Sequence, residues 1–168
     1  MIELKKYTQD FSTEFAHIRN DKDVLSYAYD SVPFPFKEKD ATEWIFLQMS
    51  QKPARRLFIF WNNQLVGEIG ITLKEDIFRL NAEIGYFIGK EYWGNGIATK
   101  AIGLMVDYVF ENFEVTRINA GVMKPNKASM KALEKNGFLL EAIRKQEVIK
   151  NNKILDNYHW VKFKNVTE

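Results

Sequence analysis

The chain has 168 residues, 46% of them hydrophobic and 14% aromatic, which suits one domain with its own sizeable core. Lys and Arg number 24 against 22 Asp and Glu, so the net charge of +2 gives no support to a nucleic-acid or membrane footprint, while leaving room for a local basic patch. No cysteine is present, and the two histidines, His17 and His159, have no ligand spacing; this excludes disulfides, thiolate ligands and a cysteine nucleophile, and no metal site is expected.

In chain order, "IELKKY" reads as an opening strand preceded by no apolar signal core, and no apolar run is long enough for a bilayer. A cytoplasmic protein is therefore expected. Residues 10–29 read as one or two short helices. The prolines of "VPFPF" (32–36) disfavour helix in the residues before them. In "KEKDATEWIFLQMSQ", Ala41, Trp44, Ile45, Gln48 and Met49 follow the i, i+3, i+4 helical pattern. "RRLFIFW" and "LVGEIGITL" flank "NNQ", a hairpin signal. "LNAEIGYFIG" is apolar on both faces apart from Glu83, which predicts a central strand.

From Gly96 to Phe110 the period turns helical: Ile97, Ala101, Leu104 and Tyr108 form one stripe beside Ala98, Ile102, Met105 and Val109. "TRINAGVM" is strand-like. "NKASMKALEKNGF" predicts a short helix, with Asn126 as N-cap and Asn136-Gly137 as the stop. "EAIRKQEVIKNNKILDNYHWVKF" predicts a closing hairpin turned at "NN". The order β-α-α-β-β-β-α-β-α-β-β is that of one mixed α/β domain over residues 1–168.

"YWGNGIAT" (92–99) sets two glycines at a strand-to-helix junction. A helix N-terminus presents unpaired N–H groups to an anion, and glycines let the backbone come close to it. The spacing suits a pyrophosphate cradle, and it equally suits a plain tight turn. A dinucleotide fingerprint needs a third glycine where Thr99 stands, and "GIATK" lacks the Gly-Lys-Ser/Thr of a P-loop.

The stretch from "AEIGYFIGKEYWGNGIATKAIG" to "NKASMKALEKNGF" resembles the core of the GNAT superfamily of acetyl-CoA-dependent N-acetyltransferases. It is most similar to the RimJ/RimL-like branch of ribosomal-protein N-terminal acetyltransferases. "VPFPFKEKDATEWI" and "NNKILDNYHWVKF" extend the likeness over almost the whole chain. The resemblance implies a mixed, mostly antiparallel twisted sheet of about seven strands with about four flanking helices. It also implies acetyl-CoA as cosubstrate, without a metal. The superfamily's pyrophosphate loop falls on Trp93, Gly94, Asn95, Gly96, Ile97 and Ala98, with Thr99 as a further hydroxyl. Trp93 departs from the polar residue usual there and is expected to pack, which leaves the cradle to backbone donors. Phe87 and Ile88 match the strand that holds the pantetheine arm, although the spacing alone fits an ordinary buried strand.

Acetyl transfer to an amine needs a neutral nucleophile and a protonated leaving thiolate. An α-amine, with a reference pKa of about 8, needs less help than a lysine at about 10.4. Glu83, a carboxylate in an otherwise apolar strand, is the expected base; a structural ion pair is its alternative, and Glu68 of "GEIG" a second candidate. The superfamily's usual acid, a tyrosine, is Leu133 here. The branch resemblance points instead to Ser129, with Asn126 beside it at the cofactor; by spacing alone the two are equally a helix cap and a first-turn surface residue. Tyr29, Phe34 and Tyr158 are expected near the acceptor, with Tyr27, Phe36 and Trp44 as either pocket or core, and His159 is expected to be structurally satisfied. The implied activity is acetyl transfer to a primary amine, a protein N-terminal α-amine or a small molecule, by direct attack in a ternary complex. The alternative is a non-catalytic acetyl-CoA sensor. The expected partner is the amine, with no nucleic acid or membrane, on a monomer or homodimer.

Overall fold

The structure is a computed structural model and describes residues 1–165. Seven strands form one mixed sheet: β1 (Ile2–Lys5), β2 (Arg56–Trp61), β3 (Gln64–Leu73), β4 (Asn81–Ile88), β5 (Arg117–Met123), β6 (Leu139–Lys150) and β7 (Lys153–Phe163). Their order is β1-β2-β3-β4-β5-β7-β6, with β4 and β5 parallel. The helices are α1 (Ser12–Arg19), α2 (Glu38–Met49), α3 (Ile97–Asn112) and α4 (Lys127–Lys135). The architecture is the α/β one that the element order and the resemblance imply.

The described residues form two compact units, one of residues 1–70 and 86–101, the other of residues 71–85 and 102–165. The first has an aromatic core. Tyr7, Phe15, Phe36, Phe58 and Phe60 are buried, with Phe11, Trp44, Phe87 and Tyr92 packed against them. The β2–β3 turn at Asn62-Asn63 has positive φ at both residues, 49° and 66°. That is the backbone of a type I′ turn, whose twist matches the strands it joins.

In the second unit the buried side chains include those of α3 (Ile102, Met105, Val106, Val109), β5 (Ile118, Ala120, Val122), α4 (Met130, Leu133) and β7 (Trp160, Val161), with Ile71, Ala82, Ile84 and Phe138. Asn126 caps α4 by accepting the Ser129 N–H at 3.3 Å. Gly137, with φ 75°, ends it, since left-handed backbone at that position favours glycine. The β6–β7 hairpin turns at Asn151-Asn152, again with two positive φ values. Its register slips between Arg144 and Val148, where a bulge places Gln146 at φ 55°. Asp156 holds the bulge by accepting the Gln146 N–H at 3.0 Å and pairing with Lys145 at 3.1 Å. The sequence carries no turn signal for this bulge.

One strand expectation needs correction. β4 is central, but it is not apolar on both faces. Ala82 and Ile84 are buried, whereas Glu83 is half-buried and Gly85 exposed, so alternation sets these two on the wetter face.

Candidate functional site

The Tyr92–Thr99 segment folds as the glycine pair suggests. A short 3-10 turn (Lys90–Tyr92) follows β4, and α3 begins at Ile97. Gly94 and Gly96 have φ of 80° and 72°, and a Cβ built at either would meet no atom within 4 Å. Backbone conformation therefore selects glycine here, and the space beside each Cα is open for a ligand to approach. Asn95 stabilises the turn by donating Nδ2–H to the carbonyls of Tyr92 and Trp93, at 3.0 and 3.2 Å. Of the first helical residues, Ile97 is buried, while Ala98 and Thr99 are half-buried.

Trp93 does not pack away as expected. The residue is 49% exposed, and its indole N–H donates to the Ile88 carbonyl at 2.7 Å. That bond ties the turn to the end of β4. One residue on, the Gly89 N–H donates to the Val66 carbonyl of β3 at 2.8 Å. β3 and β4 also approach closely at Gly67, where a Cβ would stand 2.2 Å from the Phe87 carbonyl oxygen. Only glycine permits that approach, which sets the height of Phe87 and Ile88 in the sheet.

The two candidate carboxylates have opposite surroundings. Glu83 was expected in the apolar setting of its strand. Instead its side chain is 37% exposed and pairs with Lys74 at 3.0 Å. The parallel β4–β5 ladder covers Asn81–Glu83 against Arg117–Asn119, and Glu83 lies at its end. Glu68 is the buried one, at 3% exposure. It accepts hydrogen bonds from the Tyr7 hydroxyl, from Trp44 Nε1 at 2.7 Å and from Arg56 Nη1 at 3.4 Å, and Arg19 Nη1 lies 3.6 Å away. Burial, then the charge and hydrogen bond of Glu68, push the Tyr7 hydroxyl well above its ordinary pKa, so it stays protonated. These donors occupy the Glu68 carboxylate and make it a buried structural hub. Nothing in the sequence brings together Tyr7, Arg19, Trp44 and Arg56; only the fold does.

In the second unit, Ser129 lies half-buried in the first turn of α4. Leu133, one turn further on, is fully buried and belongs to the core. Tyr158 is half-buried, with Lys127 Nζ 5.3 Å from its ring centroid. His159 is satisfied, as expected: its Nε2 lies 2.7 Å from Glu147 Oε2. Arg144, foremost, and then His159 and Asn157 hydrogen-bond Glu147 and hold its carboxyl down to about 2. Among the residues expected near the acceptor, Tyr29 and Phe34 are exposed, at 74% and 51%, whereas Phe36 is core. No group of three or more residues suited to a metal occurs among the described residues.

Residues 2–139 match the family model described as the acetyltransferase (GNAT) domain. The chain belongs to the GNAT acetyltransferase family. The match draws on both compact units, and it makes the chain an acetyl-CoA-dependent acyltransferase by family. The chain is 33% identical over 146 residues to the probable N-acetyltransferase YjcK of Bacillus subtilis, a match that covers 86% of this chain and 76% of the relative. It is 28% identical over 99 residues to the ribosomal-protein-serine acetyltransferase of Escherichia coli, which covers 59% of this chain and 55% of the other. In fold it is similar to Mycobacterium smegmatis RimJ in complex with CoA-disulfide, with a TM-score of 0.84 at 19% identity over 96% of this chain and 81% of that one. The RimJ/RimL-like likeness read from the sequence agrees with these GNAT relatives. No helix among the described residues is long and apolar enough to cross a membrane.

Proposed function

We propose that this protein transfers the acetyl group of acetyl-CoA to a primary amine by direct attack, with residues 1–168 acting as a single catalytic domain. The observation that carries the reading is the Gly94–Thr99 turn. Two left-handed glycines leave open space at the start of a 16-residue helix, where backbone N–H groups and the helix dipole favour a pyrophosphate. Acetyl-CoA supplies an activated acyl group as a thioester. The protein supplies position and proton transfer.

In this reading the amides of Gly94 to Thr99 hold the pyrophosphate, and Trp93 braces the turn through its bond to Ile88. Phe87 and Ile88 align the pantetheine arm, at the height that Gly67 allows. Glu83, half-exposed at the end of the β4–β5 ladder, accepts the amine proton through water. Lys74, 3.0 Å from that carboxylate, fixes its position at the end of the ladder. Asn126 orients the first turn of α4, and Ser129 donates a proton to the departing thiolate. Tyr29, Phe34 and Tyr158 contact the acceptor. The ribosomal-protein relatives favour a peptide α-amine as acceptor, with no membrane or nucleic acid required and a soluble, cytoplasmic setting. The buried Leu133, in place of the superfamily's tyrosine, is the one observation on the side of a non-catalytic acetyl-CoA sensor.

The pH–rate profile of Glu83→Gln tests the mechanism. Loss of kcat at neutral pH with partial recovery at high pH is expected, because an amine that is already neutral needs no base. A destabilised but fully active variant with an unchanged profile would remove Glu83 from the mechanism.

A further inference from the structure

Arg19 ends α1 inside a sleeve of aromatic rings. Its guanidinium carbon lies 5.0 Å from the Phe87 ring centroid, 5.1 Å from Phe36, and 5.6 Å from both Phe15 and Trp44. The side chain is 12% exposed, so solvent still reaches it. Its Nε and Nη1 are buried and make no hydrogen bond among the described residues. Among the described residues the carboxylate that pairs with it is Glu68, at 3.6 Å, and that carboxylate already accepts from Tyr7, Trp44 and Arg56.

The charges do not balance. Arg19 and Arg56 are both cations, since guanidinium does not lose its proton in proteins. Tyr7 is neutral and Glu68 carries one negative charge. The cluster therefore holds one excess positive charge in largely apolar surroundings, together with guanidinium donors that no acceptor fills. Such charge is costly to bury unless an anion completes it. Guanidinium recognises carboxylate and phosphate alike. One excess charge matches a single carboxylate, whereas a doubly charged phosphate would overshoot.

Position links this charge to the reaction proposed above. Phe87, against which Arg19 stacks, precedes Ile88 in the strand proposed to align the acyl donor. We propose that the acceptor amine carries a carboxylate and that Arg19 binds it, which makes Arg19 the residue selecting the substrate class. An α-amino acid and a peptide with an acidic residue next to its free amine share this chemistry. This inference rests on the acetyltransferase reading.

The experiment compares matched acceptors that differ in one group. Each α-amino acid is paired with its carboxamide, and each Glu- or Asp-bearing peptide with its Gln or Asn counterpart. In the wild type, the carboxylate member of at least one set should show a kcat/KM at least tenfold higher. The set with the larger ratio distinguishes the free amino acid from the peptide. Arg19→Met fills the aromatic sleeve with an apolar chain and leaves Glu68 paired with Arg56; the ratio should fall to near one while CoA affinity stays. Equal rates within every pair in the wild type, or a preference that survives Arg19→Met, would overturn the proposal. Calorimetry with N-acetylated amino acids and their carboxamides reads the same contact without turnover. Tighter binding of the carboxylate form, lost in Arg19→Met, supports the site even where no amine is acetylated, and that pattern would refute the enzyme reading alone. Equal binding of the two forms would refute the Arg19 site.

Discussion

Replacing Glu68 by Gln keeps the side-chain shape and removes the one negative charge between Arg19 and Arg56. The Tyr7 hydroxyl and Trp44 Nε1 can still donate to an amide oxygen. The two guanidinium groups, at 3.6 and 3.4 Å, lose their counter-charge in a setting where Glu68 is 3% exposed. Breaking a buried pair in this way costs about 3–5 kcal/mol. For a chain of this size, each kcal/mol moves the melting temperature by about 2–4 °C. A fall of roughly 6–20 °C is therefore expected from thermal unfolding followed by circular dichroism. The matched control is Glu83→Gln. That side chain and its partner Lys74 are 37% and 44% exposed, and an exposed pair contributes about 0.2–1 kcal/mol. Its melting temperature should stay within about 4 °C of wild type. If Glu68→Gln melts no lower than Glu83→Gln, the buried hub does not hold the first unit together and the reasoning fails.

Three other outcomes follow from the structure. Gly96→Val forces a β-branched residue into φ 72°, costs about 1–2 kcal/mol in backbone strain and projects methyl groups into the open approach; CoA affinity by calorimetry should weaken at least tenfold, about 1.4 kcal/mol, and unchanged affinity would misplace the cradle. Ser129→Ala should lower kcat with little change in the KM for acetyl-CoA, as for a contact made chiefly in the transition state; steady-state kinetics reads it, and an unchanged kcat with chemistry limiting would discharge Ser129. The folded-state pKa of Glu147, at about 2, lies below its ordinary value of 4.5, so its stabilising effect is full above about 4.5 and is lost as pH falls from there toward 2; acid unfolding should begin at higher pH in wild type than acid-independent packing requires, and Glu147→Gln should flatten the pH dependence of melting in that window.

What the sequence revealed was local. Asn62-Asn63, Asn151-Asn152, Asn126 and Gly137 announce turns and caps through their own backbone preferences, and each stands where expected. The Gly94–Gly96 turn was legible for the same reason. The setting of the two glutamates was not. Glu68 looked like the lesser candidate because its partners Tyr7, Trp44 and Arg56 lie 61, 24 and 12 residues away in sequence. Glu83 looked buried because Gly85 passed for an apolar neighbour, when alternation turns both toward the exposed face. Trp93 looked like packing because an indole N–H bonded to a backbone carbonyl leaves no mark in composition. Arg19 gave no signal at all, since four rings from different segments make its sleeve.

The most direct test of the central claim is to incubate the purified protein with acetyl-CoA and a mixed panel of peptide α-amines and small amines, and to quantify free CoA and acetylated amine together. The account predicts that the two appear in equal amounts with at least one acceptor, and that Gly96→Val suppresses both. CoA binding without acetylation of any amine would contradict it and leave a sensor of acetyl-CoA in its place.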